Sequence, residues 1–280
     1  MINRKNARNK GGKRVIVFLI LVLVLISIGF VAPRMIPNDP YSTNASYRKG
    51  APSEEYPLGT DKLGRCIYSR MLMGAKVSVF SALLVVLISM TAGTMLGVAA
   101  GYWGGVVDNL IMGFADLFLA FPQMVFAIAV TGILGGTMIN AILALSFTGW
   151  TLYARLARAQ VMTLKKEEFI IAAKLGGSSS FQILTVHILP AIAGEMIVNA
   201  AIQMGSAMLG FAGLSYLGLG AQAPEAEWGS MINEARGYMQ QAPWAVAGPG
   251  AALFVTVCTF QLFGDSLRDY LGIRSERDEG

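Results

Sequence analysis

Few residues in this chain could carry acid–base, metal or nucleophilic chemistry. One histidine, His187, and two cysteines, Cys66 and Cys258, are too few for a zinc site of the usual Cys/His kind or a disulfide framework, and they make histidine-dependent triads unlikely candidates. No G-x-x-x-x-G-K-[ST] phosphate loop occurs, so the chain does not bind ATP by that means. What remains is polar chemistry set in apolar sequence. Glu195, Asn199 and Gln203 recur at i, i+4 and i+8 and form one stripe on a helix. Such a stripe either lines a polar passage or makes hydrogen bonds between helices. Asp108 and Asp116 lie two turns apart and read as buried structural or coupling acids more than as substrate ligands.

The surroundings of these residues are those of a membrane protein. Of 280 residues 54% are hydrophobic and 14% charged, against about 25% charged in a soluble domain, too little polar surface to clothe a globule of this size. The formal charge of +5 does not signal nucleic acid, because position explains it: Arg4, Lys5, Arg8, Lys10, Lys13 and Arg14 crowd residues 1–14 with no acid among them. The uncharged run 15–32 follows, long enough for one crossing, and the positive-inside rule keeps the N-terminus cytoplasmic. The same features suit a signal peptide, but the run is long and no clean A-x-A site follows it. Further uncharged stretches place spans at about 77–100, 107–134, 138–157, 190–215 and 245–264. The expected fold is an all-α integral membrane protein with six transmembrane helices and both termini cytoplasmic. Residues 33–75 form an external loop, 76–268 a five-helix core and 269–280 a cytoplasmic tail. Arg155, Arg158, Lys165, Lys166 and Lys174 put the loop between helices four and five inside. The external loop runs against the same rule, with Arg34, Arg48, Lys49, Lys62, Arg65 and Arg70. No internal repeat is visible, which weighs modestly against a secondary transporter built from inverted repeats.

The cytoplasmic loop 163–190 is longer than a connector needs. Phe169, Ile170, Ala173 and Leu175 fall near helical spacing, Gly176 and Gly177 supply a stop, and Ser178–Ser180 offer a cap for a second helix. Such a pair of helices either anchors to lipid or docks a soluble partner. Outside, Trp228, Met231, Ile232, Ala235, Tyr238 and Met239 make one apolar face of a short helix between Pro224 and Pro243.

The loop resembles the cytoplasmic "EAA" loop of permease subunits of bacterial ABC importers: E-A-A, three residues, Gly, nine residues, I-x-L-P. Here Ala172-Ala173, Gly177 and His187-Ile188-Leu189-Pro190 keep that spacing, with Ile171 at the motif's Glu and His187 at its Ile. The acid falls three residues earlier, at Glu168, as in the peptide-type branch. Residues 56–79, YPLGTDKLGRCIYSRMLMGAKVSV, are similar to the P-L-G-T-D-x-x-G-R-D-x-x-S-R segment of the second permease subunit of dipeptide, oligopeptide and nickel importers, with Cys66 in place of the usual Asp. DLFLAFP, LSYLGLG, EWGSMINEAR and GDSLRDY agree in order, so the resemblance runs from about 15 to 271.

The resemblance implies a permease that is not an enzyme and binds no cofactor, with ATP and Mg held by one or two partner ATP-binding subunits. It implies a second homologous permease subunit as a heterodimer partner, an extracytoplasmic binding protein and residence in the bacterial inner membrane. It assigns Glu168, Ala172, Ala173, Gly177, His187, Leu189 and Pro190 to ATPase coupling. Gly59, Thr60, Asp61, Gly64 and Arg65 are the external motif and Asp116 falls within a family motif; apart from the resemblance, Asp116 reads as a buried acid and the spacing of Glu195, Asn199 and Gln203 reads as the translocation path. Trp228, Met231 and Tyr238 are expected at the external gate or against the binding protein. No metal-ligand set is assigned. The cargo expected is nickel or a nickel chelate, with dipeptide or oligopeptide as the alternative. The rival classes are a secondary transporter or channel, which would need no docking loop, and a membrane enzyme, for which no catalytic constellation is present.

Overall fold

The computed structural model describes residues 2–272 and is built from helices. In chain order they are α1 Ile2–Met35, α2 Ile67–Trp103, α3 Gly105–Leu119, α4 Gln123–Leu134, α5 Met138–Leu164, α6 Glu168–Leu175, α7 Ser180–Gln182, a π-helical segment Ile183–Ile188, α8 Leu189–Tyr216, α9 Trp228–Arg236 and α10 Trp244–Leu271. The stretch Ser180–Tyr216 is one continuous rod of 37 residues, about 55 Å at 1.5 Å per residue. Residues 273–280 of the expected tail lie outside the described residues, and 269–271 belong to α10.

Among the described residues four helical segments are long and apolar enough to cross a bilayer: Gly12–Val31, Ile67–Trp103, Ser180–Tyr216 and Trp244–Leu271. The third expected span, 107–134, is not one helix. It breaks after Leu119 and resumes at Gln123 with an 87° bend, making a fifth span only as a bent pair. Pro122 is the cause: it disfavours helical backbone at Phe121 and cannot donate to the preceding turn. The expected fourth span, α5, is long enough but fails the apolar criterion. It carries Arg155, Arg158 and a run of buried hydroxyls, Ser146, Thr148 and Thr151, each bonded to a carbonyl three or four residues back on its own helix. Packed among α2, α3, α4 and α8, α5 needs less apolar surface than a lipid-facing helix.

Helix association inside a membrane relies on close packing rather than on the hydrophobic effect, so small residues decide which helices meet. Gly93, Gly97 and Gly101, one turn apart on α2, lie flat against α5. A Cβ at Gly93 would come within 2.2 Å of the Trp150 carbonyl oxygen, and one at Gly97 within 2.2 Å of that of Ala154. One apolar cluster joins α1, α2, α8, α9 and α10 through Val22, Val79, Met204, Trp228 and Phe260. A second gathers Val98, Val161, Ile170, Ile183, Ile188 and Ile192 at the end of the bundle where α2 finishes and the Ser180–Tyr216 rod begins.

Candidate functional site

The loop between α5 and the rod is a short helix pinned on one side. Ile170 is buried among Ile183, Ile188 and Ile192 at the foot of the rod, while Ala173 is half-buried at the edge of the same cluster. Gly177 sits at φ +82°, where an L side chain is strained, and reverses the chain. Ser178 N–H reaches the Ala173 carbonyl at 3.1 Å, closing the end of α6. Ser179 Oγ then accepts from Gln182 N–H at 3.2 Å and caps the start of the rod. The π-helical turn precedes Leu189-Pro190; its wider spacing leaves room for a proline ring that an α-turn would push against the carbonyl four residues back. His187, on that turn, lays its ring against Phe169, centroids 6.3 Å apart, and so links α6 to the rod. The outward side is apolar: Leu175 is 85% and Phe181 76% exposed, with Phe169, Ile171 and Val186 also exposed beside Glu168 and Ala172. Lys165 fixes the loop's other root, its Nζ donating to the Gly101 and Tyr102 carbonyls at 3.0 and 3.1 Å at the C-terminus of α2.

The polar stripe of α8 divides. Glu195 accepts from Gln160 Nε2 of α5, and Asn199 Nδ2 donates to the Glu195 main-chain carbonyl at 2.9 Å. Gln203 alone opens onto a cavity of about 500 Å³ between α2, α3, α4, α5 and α8. That cavity is otherwise lined by Ser89, Gln123, Thr148, Thr151, Tyr153 and Ser206 among apolar side chains, with no carboxylate, cation, His or Cys. Asp116 is not a buried acid: its side chain is 64% exposed and pairs with Arg155 at 2.5 Å. The shielded acid is Asp108, held by Arg158 through two bonds of 2.5 and 2.6 Å. A single family motif carries no information on which face of α3 is covered, and Asp116 falls on the open one.

The external residues turn inward as well. Gly59 (φ +69°) and Gly64 (φ +77°) shape a loop so tight that a Cβ at Gly64 would overlap the Asn44 carbonyl oxygen at 1.9 Å. Thr60, Asp61 and Arg65 are buried beneath it. Asp61 accepts from the main-chain N–H groups of Leu63 and Arg65 and from Arg65 Nε at 2.8, 3.0 and 2.6 Å, while Arg65 and Arg70 both reach Glu234 of α9. Two cations and two acids thus staple the loop to α9. Trp228, Met231 and Tyr238, expected at the external gate or against the binding protein, are all buried within the chain. Trp228 Nε1 donates to the Met71 carbonyl at 2.9 Å, and Tyr238 OH accepts from Lys62 N–H at 3.3 Å. The apolar face of α9 is spent on α8, α10 and α2. Glu227 caps α9 from full burial, accepting from Ser230 N–H at 2.8 Å and Ser78 Oγ at 3.0 Å. Burial raises its pKa against the pull of those hydrogen bonds.

Residues 93–276 match the family described as binding-protein-dependent transport system inner membrane component. The chain belongs to that family. It is 41% identical to the dipeptide transport system permease protein DppC of Alkalihalophilus pseudofirmus over 94% of this chain and 86% of that protein. It is 38% identical to the nickel transport system permease protein NikC of Escherichia coli K12, over 90% of this chain and 91% of that protein. The glutathione transport system permease protein GsiD of Pectobacterium atrosepticum is 41% identical over 90% and 84%. An inward-facing structure of the MetNI methionine ABC transporter shares the fold, with a TM-score of 0.58 at 16% identity, covering 75% of this chain and 98% of that one. The chain is a multi-pass permease of the inner membrane, a transport subunit and not an enzyme.

Three features of this permease were missed in the sequence reading. The Gly93-x₃-Gly97-x₃-Gly101 ladder was legible as a small-xxx-small pattern in an apolar run. Lys165 as a cap on α2, and Arg155 as the partner of Asp116, join positions too far apart in the chain for spacing alone to pair them.

Proposed function

We propose that this chain forms half of the translocation pathway of an ATP-driven importer, with six crossings and both termini cytoplasmic. Beside it stand a second homologous permease, one or two subunits that bind and hydrolyse ATP with Mg, and an extracytoplasmic protein that delivers cargo. The observation that carries this reading is the pinned knob. α6 is fastened by Ile170 to the foot of a 37-residue rod and turns Phe169, Ile171 and Leu175 outward, so a soluble partner that grips those side chains moves the rod. Glu168 and the small Ala172 stand on the exposed part of α6, where close approach of a partner groove is unhindered. Free lipid anchoring is the weaker account, because Glu168 shares that surface.

The cargo is a small polar organic molecule: a short peptide, or nickel wrapped in an organic chelator. The cavity below Gln203 offers amide, hydroxyl and phenol groups, and among the described residues no three His, Cys, Asp or Glu converge on one point. Bare nickel prefers imidazole or thiolate ligands. A cargo that brings its own ligands needs only hydrogen bonds on its way through. The test is uptake into vesicles containing the whole complex, with labelled dipeptide, free nickel and chelated nickel compared, with and without ATP. ATP-independent uptake refutes the importer reading; efficient uptake of free nickel alone refutes the cargo assignment.

A further inference from the structure

An exposed ion pair on the wall of a membrane bundle needs an explanation. Asp116 of α3 and Arg155 of α5 meet at 2.5 Å with side chains 64% and 52% exposed, unlike the neighbouring Asp108–Arg158 pair, which is mostly covered. Asp116 lies eleven residues inside α3, about 16 Å from its start, and Arg155 nine residues before the end of α5, about 14 Å. Charge at that depth against hydrocarbon costs several kcal/mol, so this face meets water or protein.

Three helices agree on what it meets. The start of α3, the end of α5 and the foot of the rod share one end of the bundle, through Asp108–Arg158, Lys165 on Gly101, and Val98 with Val161 and Ile188. Moving from the cavity toward that end, Leu119 leads one turn on to Asp116, Thr151 and Leu152 lead to Arg155, and Gln203 leads to Asn199. The cavity wall therefore continues, by one turn on each helix, into a charged and amide-bearing floor. An exposed pair contributes only about 0–1 kcal/mol, so it adds little to the fold and separates readily.

Resting on the importer reading, we infer that Asp116 and Arg155 are the cytoplasmic latch of the translocation path, a water-facing pair that parts to let a zwitterionic cargo through. A cargo with an ammonium and a carboxylate gives each side chain a replacement partner as it passes, which a cargo of a single charge sign does not. A peptide carries both groups free at its two ends.

The test uses the whole complex in inverted vesicles, with Cys66 and Cys258 replaced by alanine and single cysteines introduced as Asp116→Cys, Arg155→Cys and, at an exposed apolar position midway along a membrane-crossing helix, Phe254→Cys, where Phe254 is 68% exposed. A charged thiosulfonate reagent is expected to label the first two and spare the third, and dipeptide with ATP is expected to slow that labelling. Protection of Asp116→Cys in a complex that still imports overturns the inference. Separately, Arg155→Leu is expected to lower dipeptide uptake about fivefold, and the exchange Asp116→Arg with Arg155→Asp to restore it. An exchange as inactive as the single variants, in complexes that assemble normally, also overturns it. Failure of the unaltered complex to import either cargo strikes the transport reading instead, so the two failures are distinguishable.

Discussion

Replacing Ile170 by alanine should detach α6 without disturbing the membrane bundle. α6 has eight residues, well below the length at which an isolated helix holds together in water, so its place depends on what it packs against. Ile170 is its one buried residue, seated among Ile183, Ile188 and Ile192. Truncating a buried isoleucine to alanine costs about 2–5 kcal/mol, and at about 1.4 kcal/mol per factor of ten that lowers the docked-to-undocked equilibrium constant of α6 by about 30-fold or more. The bundle keeps its other clusters and should insert as before. Hydrogen exchange of the 165–176 amides, read in the purified complex, should become fast in Ile170→Ala and stay slow in Ile171→Ala, whose side chain is exposed. ATP-driven uptake should fall in both, in the first through loss of α6 order and in the second through a weakened partner contact. Unchanged amide protection in Ile170→Ala, with uptake intact, would refute the pinned-knob argument.

The remaining expectations follow from single contacts. Gly177→Pro, forcing φ near −65° where the chain needs +82°, should leave the subunit in the membrane but abolish co-purification of the ATP-binding subunits, measured by pull-down. Gly97→Leu should destabilise the bundle by at least the roughly 1–3 kcal/mol of overpacking, because its Cβ meets backbone, and so lower the melting temperature in detergent; Gly113→Ala, with open space, should not. Arg65→Met leaves Asp61 and Glu234 with one cation fewer in a buried network and should cost about 3–5 kcal/mol, seen as protease sensitivity of the external loop. For Glu227, a carboxyl whose pKa is raised on folding, the folded state holds the proton more tightly than the unfolded one. Its stabilising effect is complete below the unfolded pKa of about 4.3 and is lost as pH rises through the folded value. Melting temperature should therefore fall with rising pH across that window in the wild type, and Glu227→Gln should flatten that part of the profile.

How far these elements were legible depended on whether the signal was local. Helix positions followed from uncharged runs, since a lipid-facing helix must be apolar nearly all round, and the Gly177 stop and Ser179 cap followed from backbone requirements of single residues. α5 shows the limit. Its polar side satisfies itself on its own carbonyls and hides against neighbours, so hydropathy understates it. The break at Pro122 was present in the sequence but masked by the long uncharged run around it. Trp228, Met231 and Tyr238 were rightly grouped on one face, yet periodicity shows only that a face is apolar and not what covers it. Asp116 failed for the same reason in reverse, because exposure of a paired acid depends on which helices lie beside it.

On the proposed reading, docking, passage and the external surface share one continuous helical element. The rod begins at Ser180 beside the knob, passes Gln203 at the cavity and ends at Tyr216. Near that far end it meets α9 through Gly229, whose Cβ would lie 2.2 Å from the Ala212 carbonyl oxygen. That contact leaves no slack: a shift of the rod along its axis must carry α9 with it or break the packing. α9 is in turn tied by Glu234 to Arg65 and Arg70, so the 59–70 loop moves too. On the proposed reading, a displacement imposed at Ile170 would travel the rod's length of about 55 Å, with the π-helical turn at its base as the one irregular step. Gly229→Ala should uncouple the two ends selectively, preserving ATPase co-purification and slowing uptake. If uptake were unaffected while α9 shifted, as judged by cross-linking between cysteines placed on α9 and α8, motion of the external end would not be required for transport and the rod would act only on the cavity.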